Sequence, residues 1–269
     1  MVSLCNKYYQ FFLAQGLLLG IGMAFIAIPA SGIVARYFKR NRGLATGVTV
    51  AGSSLGGVIW PVVFDQLLHH SNVGFPWAMR IAGFIMLPIC AICIITVRAP
   101  HRTSTNGDQE KQMHPADNTG KKPKKDLSAL RRPPFLLLCA GQFIAVFGFF
   151  PPMFFVTTYA VSLGMSSSLA FYLVSIVNGA SCFGRILPGI VADKYGRFNL
   201  LTLSIFSAGI IAFCWTPATS VAGVIVWTIA YGFASGALLS LQLACATSLV
   251  DEDSSGAAVG AIMGAMSLS

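Results

Sequence analysis

Residues 184–199, GRILPGIVADKYGRFN, carry Arg185 inside a long apolar block and then turn through Asp193, Lys194, Gly196 and Arg197. What an arginine does in such a block depends on where the block sits, and composition answers that first. The chain has 269 residues, 55% hydrophobic and only 10% charged, against about 25% charged in soluble domains. Its apolar residues are gathered in runs long enough to cross a bilayer as helices, which takes about 20 residues. The runs are continuous rather than alternating, which argues against barrel strands of about 10 residues. The expected fold class is an all-α polytopic membrane protein.

Seven blocks can span, at about 8–35, 43–68, 75–97, 133–162, 168–191, 199–216 and 220–249. An eighth runs from Gly256 to Ser269 and reaches only about 21 Å at 1.5 Å per residue, short of the hydrocarbon core. Nine of the 18 basic residues lie between Arg98 and Arg132, and most others stand at block ends. This distribution is a topology signal and argues against a nucleic-acid partner. Arg36, Lys39, Arg40 and Arg42 place the first connection in the cytoplasm; HHSNVGF, without Lys or Arg, falls outside. The alternation continues through 98–132 (inside), LGMSSS (outside), Lys194 and Arg197 (inside) and TPATS (outside). The acidic DEDSS is an exception of a kind that weighs little in this rule. Segment 98–132, with KKPKK and almost no large apolar residues, buries too little to fold and reads as a disordered basic cytoplasmic loop. It separates residues 1–97, one helical bundle, from residues 133–269, a second.

The turn itself has the pattern G-x-x-x-D-K-x-G-R at Gly189, Asp193, Lys194, Gly196 and Arg197. Glycine at the end of a span allows close helix approach and a sharp turn. Asp193 can pair with a helix end or a basic group across the cytoplasmic face, a network that latches a conformation. The pattern resembles the loop motif of the major facilitator superfamily, in the copy after the second span of the C-terminal half. YYQFFLAQGLLLGIGMAF and YFKRNRGLATGVTVAGSSLGGVIWP resemble the fourth and fifth helices of fungal members of the monocarboxylate transporter family. PFLLLCAGQFIAVFGFFPPMFFVTTYA resembles their seventh. The resemblance implies the two-bundle major facilitator fold, here incomplete, with about seven full spans plus a partial one. It places the chain from the end of helix three to the start of helix eleven, so a fragment is expected. The implied function is transport of a small organic anion such as a monocarboxylate, with a proton as a coupled partner, across a lipid bilayer. Export of an acidic secondary metabolite is the alternative within the class; a non-transporting truncated membrane protein is the alternative outside it. The family default for localisation is the plasma membrane. A seven-helix receptor would also hold the long basic loop inside, but it does not explain the glycine-aspartate motif.

Arg185 is costly within a span, about 2.5–3.5 kcal/mol at the centre on insertion scales, which makes it a functional candidate. It precedes Pro188 and Gly189, so it is expected one to two turns from the cytoplasmic end. The resemblance implies that an arginine at this place binds the substrate carboxylate, a task suited to a guanidinium that stays charged. In animal members an aspartate one turn earlier pairs with it; here that position is Ser181, with Asn178 three residues before. Neither carries a charge, so Arg185 would depend on an anionic substrate or on residues of the helices missing from the expected fragment; the competing reading is that it snorkels to the surface. Gln142, Asn178, Ser181 and Arg185 form the candidate substrate-binding set.

Arg80, just after Trp77, reads as an interfacial anchor. Asp65, followed by His69 and His70, reads as an interfacial carboxylate or a group that titrates. Gln15 and Gln242 are polar groups within spans that line a cavity or bond neighbouring helices. Pro151 and Pro152 are expected to break the fourth span. Gly16, Gly20 and Gly22, with Gly52, Gly56 and Gly57, are expected to give faces for close helix contact. Cys90 and Cys93 have CxxC spacing but no second pair and no nearby His, so they read as small packing residues. The four histidines, His69, His70, His101 and His114, stand in or beside loops with no ligand spacing and no nucleophile nearby. No enzyme, cofactor or metal site is expected.

Overall fold

The computed structural model describes residues 2–5, 7–38, 41–70, 74–96, 130–251 and 254–268, and every regular element among them is helical. Most of the loop expected at 98–132 lies outside the described residues. After a 3-10 turn at Val2–Leu4, α1 runs over residues 8–37 as a turn at Tyr8–Phe11, a π-helical stretch at Phe12–Leu18 and a regular helix at Leu19–Tyr37. Then come α2 at Arg42–Asp65, which continues as a π-helical stretch at Gln66–His70, and α3 at Phe75–Thr96. After the long connection follow α4 at Pro133–Ser162, α5 at Ser167–Tyr195, α6 at Arg197–Phe213, α7 at Val221–Ser248 and α8 at Ser255–Ser267.

Local chemistry explains where these helices start. Pro133 and Pro134 occupy the first turn of α4, where their missing N–H groups cost nothing. Ser166 and Ser220 cap α5 and α7, their hydroxyls accepting from the backbone N–H of Leu169 at 3.4 Å and Gly223 at 3.1 Å. Gly196, at φ 95°, makes the one-residue turn between α5 and α6, a conformation that side-chain-bearing residues rarely adopt.

Among the described residues, six helices are long and apolar enough to cross a membrane. The block expected at 199–216 is shorter than predicted: α6 has 17 residues, about 25 Å of helix against a core of about 30 Å. α5 is longer than predicted, because it passes through Pro188 and Gly189 to Tyr195. Arg185 therefore lies about ten residues, or about 15 Å, from that end of the helix, deeper than the expected one to two turns.

Pro151 and Pro152 do not break α4, which is continuous over 30 residues. Each proline removes one donor, from the carbonyls of Phe147 and Gly148, but in hydrocarbon every other backbone group still needs its helical partner. The fully buried Tyr231 supplies an outside bond in the same turn, its hydroxyl donating to the Phe149 carbonyl at 2.8 Å.

α7 is the central helix and the most buried of the candidate spans. α5 packs along it, α6 and α8 lean on it, and α2 crosses the outer face of α5. At one end, Val156, Leu173, Val177, Val224, Trp227 and Tyr231 form a cluster in which Trp215, Trp227 and Tyr231 stack at centroid separations of 5.2 and 5.0 Å. At the other end, Phe135, Leu243, Ala246, Val259 and Ile262 join α4, α7 and α8. α3 is peripheral: Cys90 and Cys93, read from sequence as small packing residues, are exposed on it.

Candidate functional site

The elements with chemistry meet where α2 lies against α5. The two helices run antiparallel, and backbone touches backbone at Gly43, Gly47 and Gly189. A Cβ at Gly43 would stand 2.5 Å from the Gly189 carbonyl oxygen, and one at Gly189 would stand 2.6 Å from that of Gly43. Gly47 rests on the carbonyl of Arg185, and Gly57 on the amide of Asn178. Of the six glycines expected to give helix-contact faces, only Gly57 meets another helix; nothing lies within 4 Å of a Cβ at Gly20, Gly22 or Gly52, and Gly16 and Gly56 meet only side chains of their own helix. The reason is phase. Gly43, Gly47, buried Ala51 and Ser54, and Gly57 recur at three- and four-residue steps on one face, while Gly52 is turned off it. The signal was present as G-x-x-x-G at Gly43 and Gly47, and again at Gly232 and Gly236 of α7. There Gly232 lies on Val177, Gly236 on Ser181, and the Ser240 hydroxyl donates to the Arg185 carbonyl at 3.3 Å.

This double crossing places the cytoplasmic-type motif. The Asp193 carboxylate accepts from the backbone N–H of Gly43 at 3.0 Å and of Leu44 at 3.1 Å, the first turn of α2. Those N–H groups have no intrahelical partner, and the positive end of the helix dipole favours a carboxylate there. Arg197, at the start of α6, donates to the same carboxylate at 3.3 Å. Gly189 is the close-contact point and Gly196 the turn, while Lys194 is exposed. Gly189, Asp193, Gly196 and Arg197 thus build a clasp between α2, α5 and α6.

Two turns deeper, Arg185 is buried, with only 6% of its surface exposed, so it does not snorkel. One guanidinium nitrogen donates to the Val50 carbonyl at 2.7 Å and to the Ser53 hydroxyl, both on α2. Its Nε bonds nothing, and among the described residues no carboxylate pairs with it. A buried cation without a counter-charge pays desolvation that partial backbone bonding does not repay. Ser53, which holds it, was not foreseen from sequence.

The other three candidates divide. Ser181 lies one turn before Arg185 on the same helix, buried against Gly236. Asn178 donates to the Val174 carbonyl of its own helix at 2.8 Å, and its amide packs on Gly57 of α2. Gln142 is buried on α4 with an unbonded Oε1, as is Gln242 on α7, whereas Gln15 is exposed on α1. Arg80 stacks its guanidinium 4.9 Å over the Trp77 ring. Asp65 is buried and accepts from the Tyr172 hydroxyl at 3.1 Å, a partner not foreseen. The side chains of His69 and His70 lie outside the described residues.

The family model of the Major Facilitator Superfamily matches residues 1–269. The chain belongs to that superfamily. Among its relatives, the agnestins efflux protein of Paecilomyces divaricatus is 44% identical over 268 residues, covering 100% of this chain and 58% of that protein. An MFS-type transporter of Aspergillus fumigatus is 41% identical over 278 residues, 100% of this chain and 63% of its own length. The aspyridones efflux protein of Emericella nidulans is 42% identical over 242 residues, 90% of this chain and 46% of its own. The chain therefore spans about half to three-fifths of the length of these relatives. The superfamily and the six apolar helices together make it a multi-pass membrane protein.

Proposed function

We propose that the chain forms part of a transporter that exports a small acidic secondary metabolite across the plasma membrane by alternating access. The observation that carries this reading is Arg185: a buried guanidinium with an unbonded Nε and no carboxylate among the described residues to neutralise it. Such a group gains most from an anionic ligand, which would supply both the missing charge and the missing acceptor. Ser181 and Gln142 are proposed to add neutral hydrogen bonds, Gln142 through the free Oε1 on α4. Two relatives are named as efflux proteins for fungal metabolites, which favours export over uptake. Uptake of a monocarboxylate with a proton has less support, because Ser181 offers no carboxylate to share a proton with Arg185. The Lys and Arg bias places the Asp193 clasp on the cytoplasmic face. Residues 1–97 and 133–269 are then the two bodies that rock against each other along α2 and α5.

The test loads cells expressing the chain with a labelled panel of aliphatic and aromatic carboxylic acids and follows their loss. Export of at least one acid is expected, abolished by Arg185→Met and partly kept by Arg185→Lys. Because Met removes an uncompensated buried charge, Arg185→Met is expected to leave the fold as stable or more so. Export unaffected by Arg185→Met would overturn the anion site.

A further inference from the structure

We infer that the hydrogen bond from Tyr172 to Asp65 is the latch that closes the α2–α5 contact at the end away from Asp193, so that both are positioning residues for the transport cycle. The inference rests on the transport reading above. Asp65 is the last α-helical residue of α2, and Tyr172 stands in the second turn of α5. The Tyr172 hydroxyl donates to Asp65 Oδ2 at 3.1 Å, and the carboxylate is only 7% exposed. A carboxylate in a span is costly and persists where it is bonded or used, and a hydrogen bond to an ionised acceptor is of the stronger kind. One turn further in, the Ser175 hydroxyl donates to the Val58 carbonyl at 3.2 Å and extends the same contact.

The position of this pair gives it a role that a bond within one bundle would lack. Asp193 joins α2 to α5 at one end, and Asp65 joins the same two helices at the other, about 33 Å away along α2. Between them the helices touch backbone to backbone at Gly43 and Gly47, and Gly57 packs on the Asn178 amide, a surface that rocks as a rigid body because it has few side chains to repack. Alternating access needs one end of such a contact to part while the other holds. With both ends bonded the chain is in a closed arrangement. Loss of the Tyr172–Asp65 bond should release its own end and leave the Asp193 end shut.

The experiment uses the full 269-residue chain in lipid nanodiscs, with its seven cysteines replaced and nitroxide pairs introduced. One pair, Leu68→Cys with Ser168→Cys, reports the Asp65 end; the other, Asn41→Cys with Tyr195→Cys, reports the Asp193 end. Pulsed dipolar spectroscopy gives the distance distribution of each. Tyr172→Phe is expected to raise the long-distance population at the Asp65 end about tenfold, the effect of one hydrogen bond to a charged group, with the other pair unchanged. Asp65→Asn keeps an oxygen for the tyrosine but no charge, so a smaller rise is expected; it also carries the test should Tyr172→Phe fold poorly. Asp193→Asn is expected to open only its own end. If Asp193→Asn opens its end while neither Tyr172→Phe nor Asp65→Asn changes the far one, the latch is overturned and the transport reading stands. Equal broadening of both pairs by Tyr172→Phe would show general loosening and would also overturn the latch. A single unchanging distance at both ends in every variant would overturn the transport reading with it.

Discussion

Substituting Gly189 with alanine should break the Asp193 clasp without touching Asp193. An added methyl would lie 2.6 Å from the Gly43 carbonyl oxygen and 3.0 Å from its carbon, and both are backbone atoms that cannot turn aside. Restoring an ordinary contact of about 3.4 Å requires α2 and α5 to part by about 0.8 Å. The two bonds to Asp193, now 3.0 and 3.1 Å, would lengthen to about 3.8 Å, beyond hydrogen-bond reach. Overpacking of this kind costs about 1–3 kcal/mol. Asp193→Asn alone removes the charge and one of the two facing acceptors, for about 1.5–3 kcal/mol. In the Gly189→Ala background those bonds are already lost, so Asp193→Asn should cost less than about 0.5 kcal/mol more, a coupling of at least about 1 kcal/mol. The assay is reversible unfolding in mixed detergent micelles for the wild type, both single variants and the double. Costs that simply add, within about 0.5 kcal/mol, would refute the reasoning, because Asp193 would then owe nothing to the close approach.

Three further outcomes are expected in the same assay. Tyr231→Phe keeps the aromatic stack and removes only the donor to Phe149, so it should cost about 1 kcal/mol; no change would show that the proline turn of α4 needs no outside bond. Gly52→Ala should be neutral or stabilising by up to about 1 kcal/mol, since open space surrounds it in mid-helix. Gly47→Ala, pressed on the Arg185 carbonyl, should destabilise by about 1–3 kcal/mol, and equal effects at the two glycines would disprove the assigned helix face.

Much of the site was legible because its chemistry is local in the chain. Gly189, Asp193, Gly196 and Arg197 lie within nine positions of sequence, and each asks for one thing: a close approach, an acceptor, a turn, a cation. Arg185 stood out because a charge is expensive in an apolar run wherever that run packs. What these residues bond to was not legible. Ser53, Tyr172 and Tyr231 are ordinary polar residues in apolar blocks until another helix is brought against them. That the Asn178 amide packs on Gly57 is revealed only by the crossing of α2 and α5. Pro151 and Pro152 read as a break because prolines interrupt spans in transporters; with no water to satisfy further freed groups, the helix keeps its remaining backbone bonds and runs on.

Sequence alone determined that this chain is a bundle of membrane helices, roughly where each begins, and which end of each is basic. These follow from the length of apolar runs and the cost of moving Lys and Arg through a bilayer, both properties of single segments. Tertiary structure decided which glycines touch, that Arg185 is buried rather than at the surface, and that α2 and α5 are bonded at both ends. Those depend on rotation of each helix about its own axis and on register between helices. In a medium as apolar as the side chains, no hydrophobic face sets that rotation; close packing and a few hydrogen bonds set it.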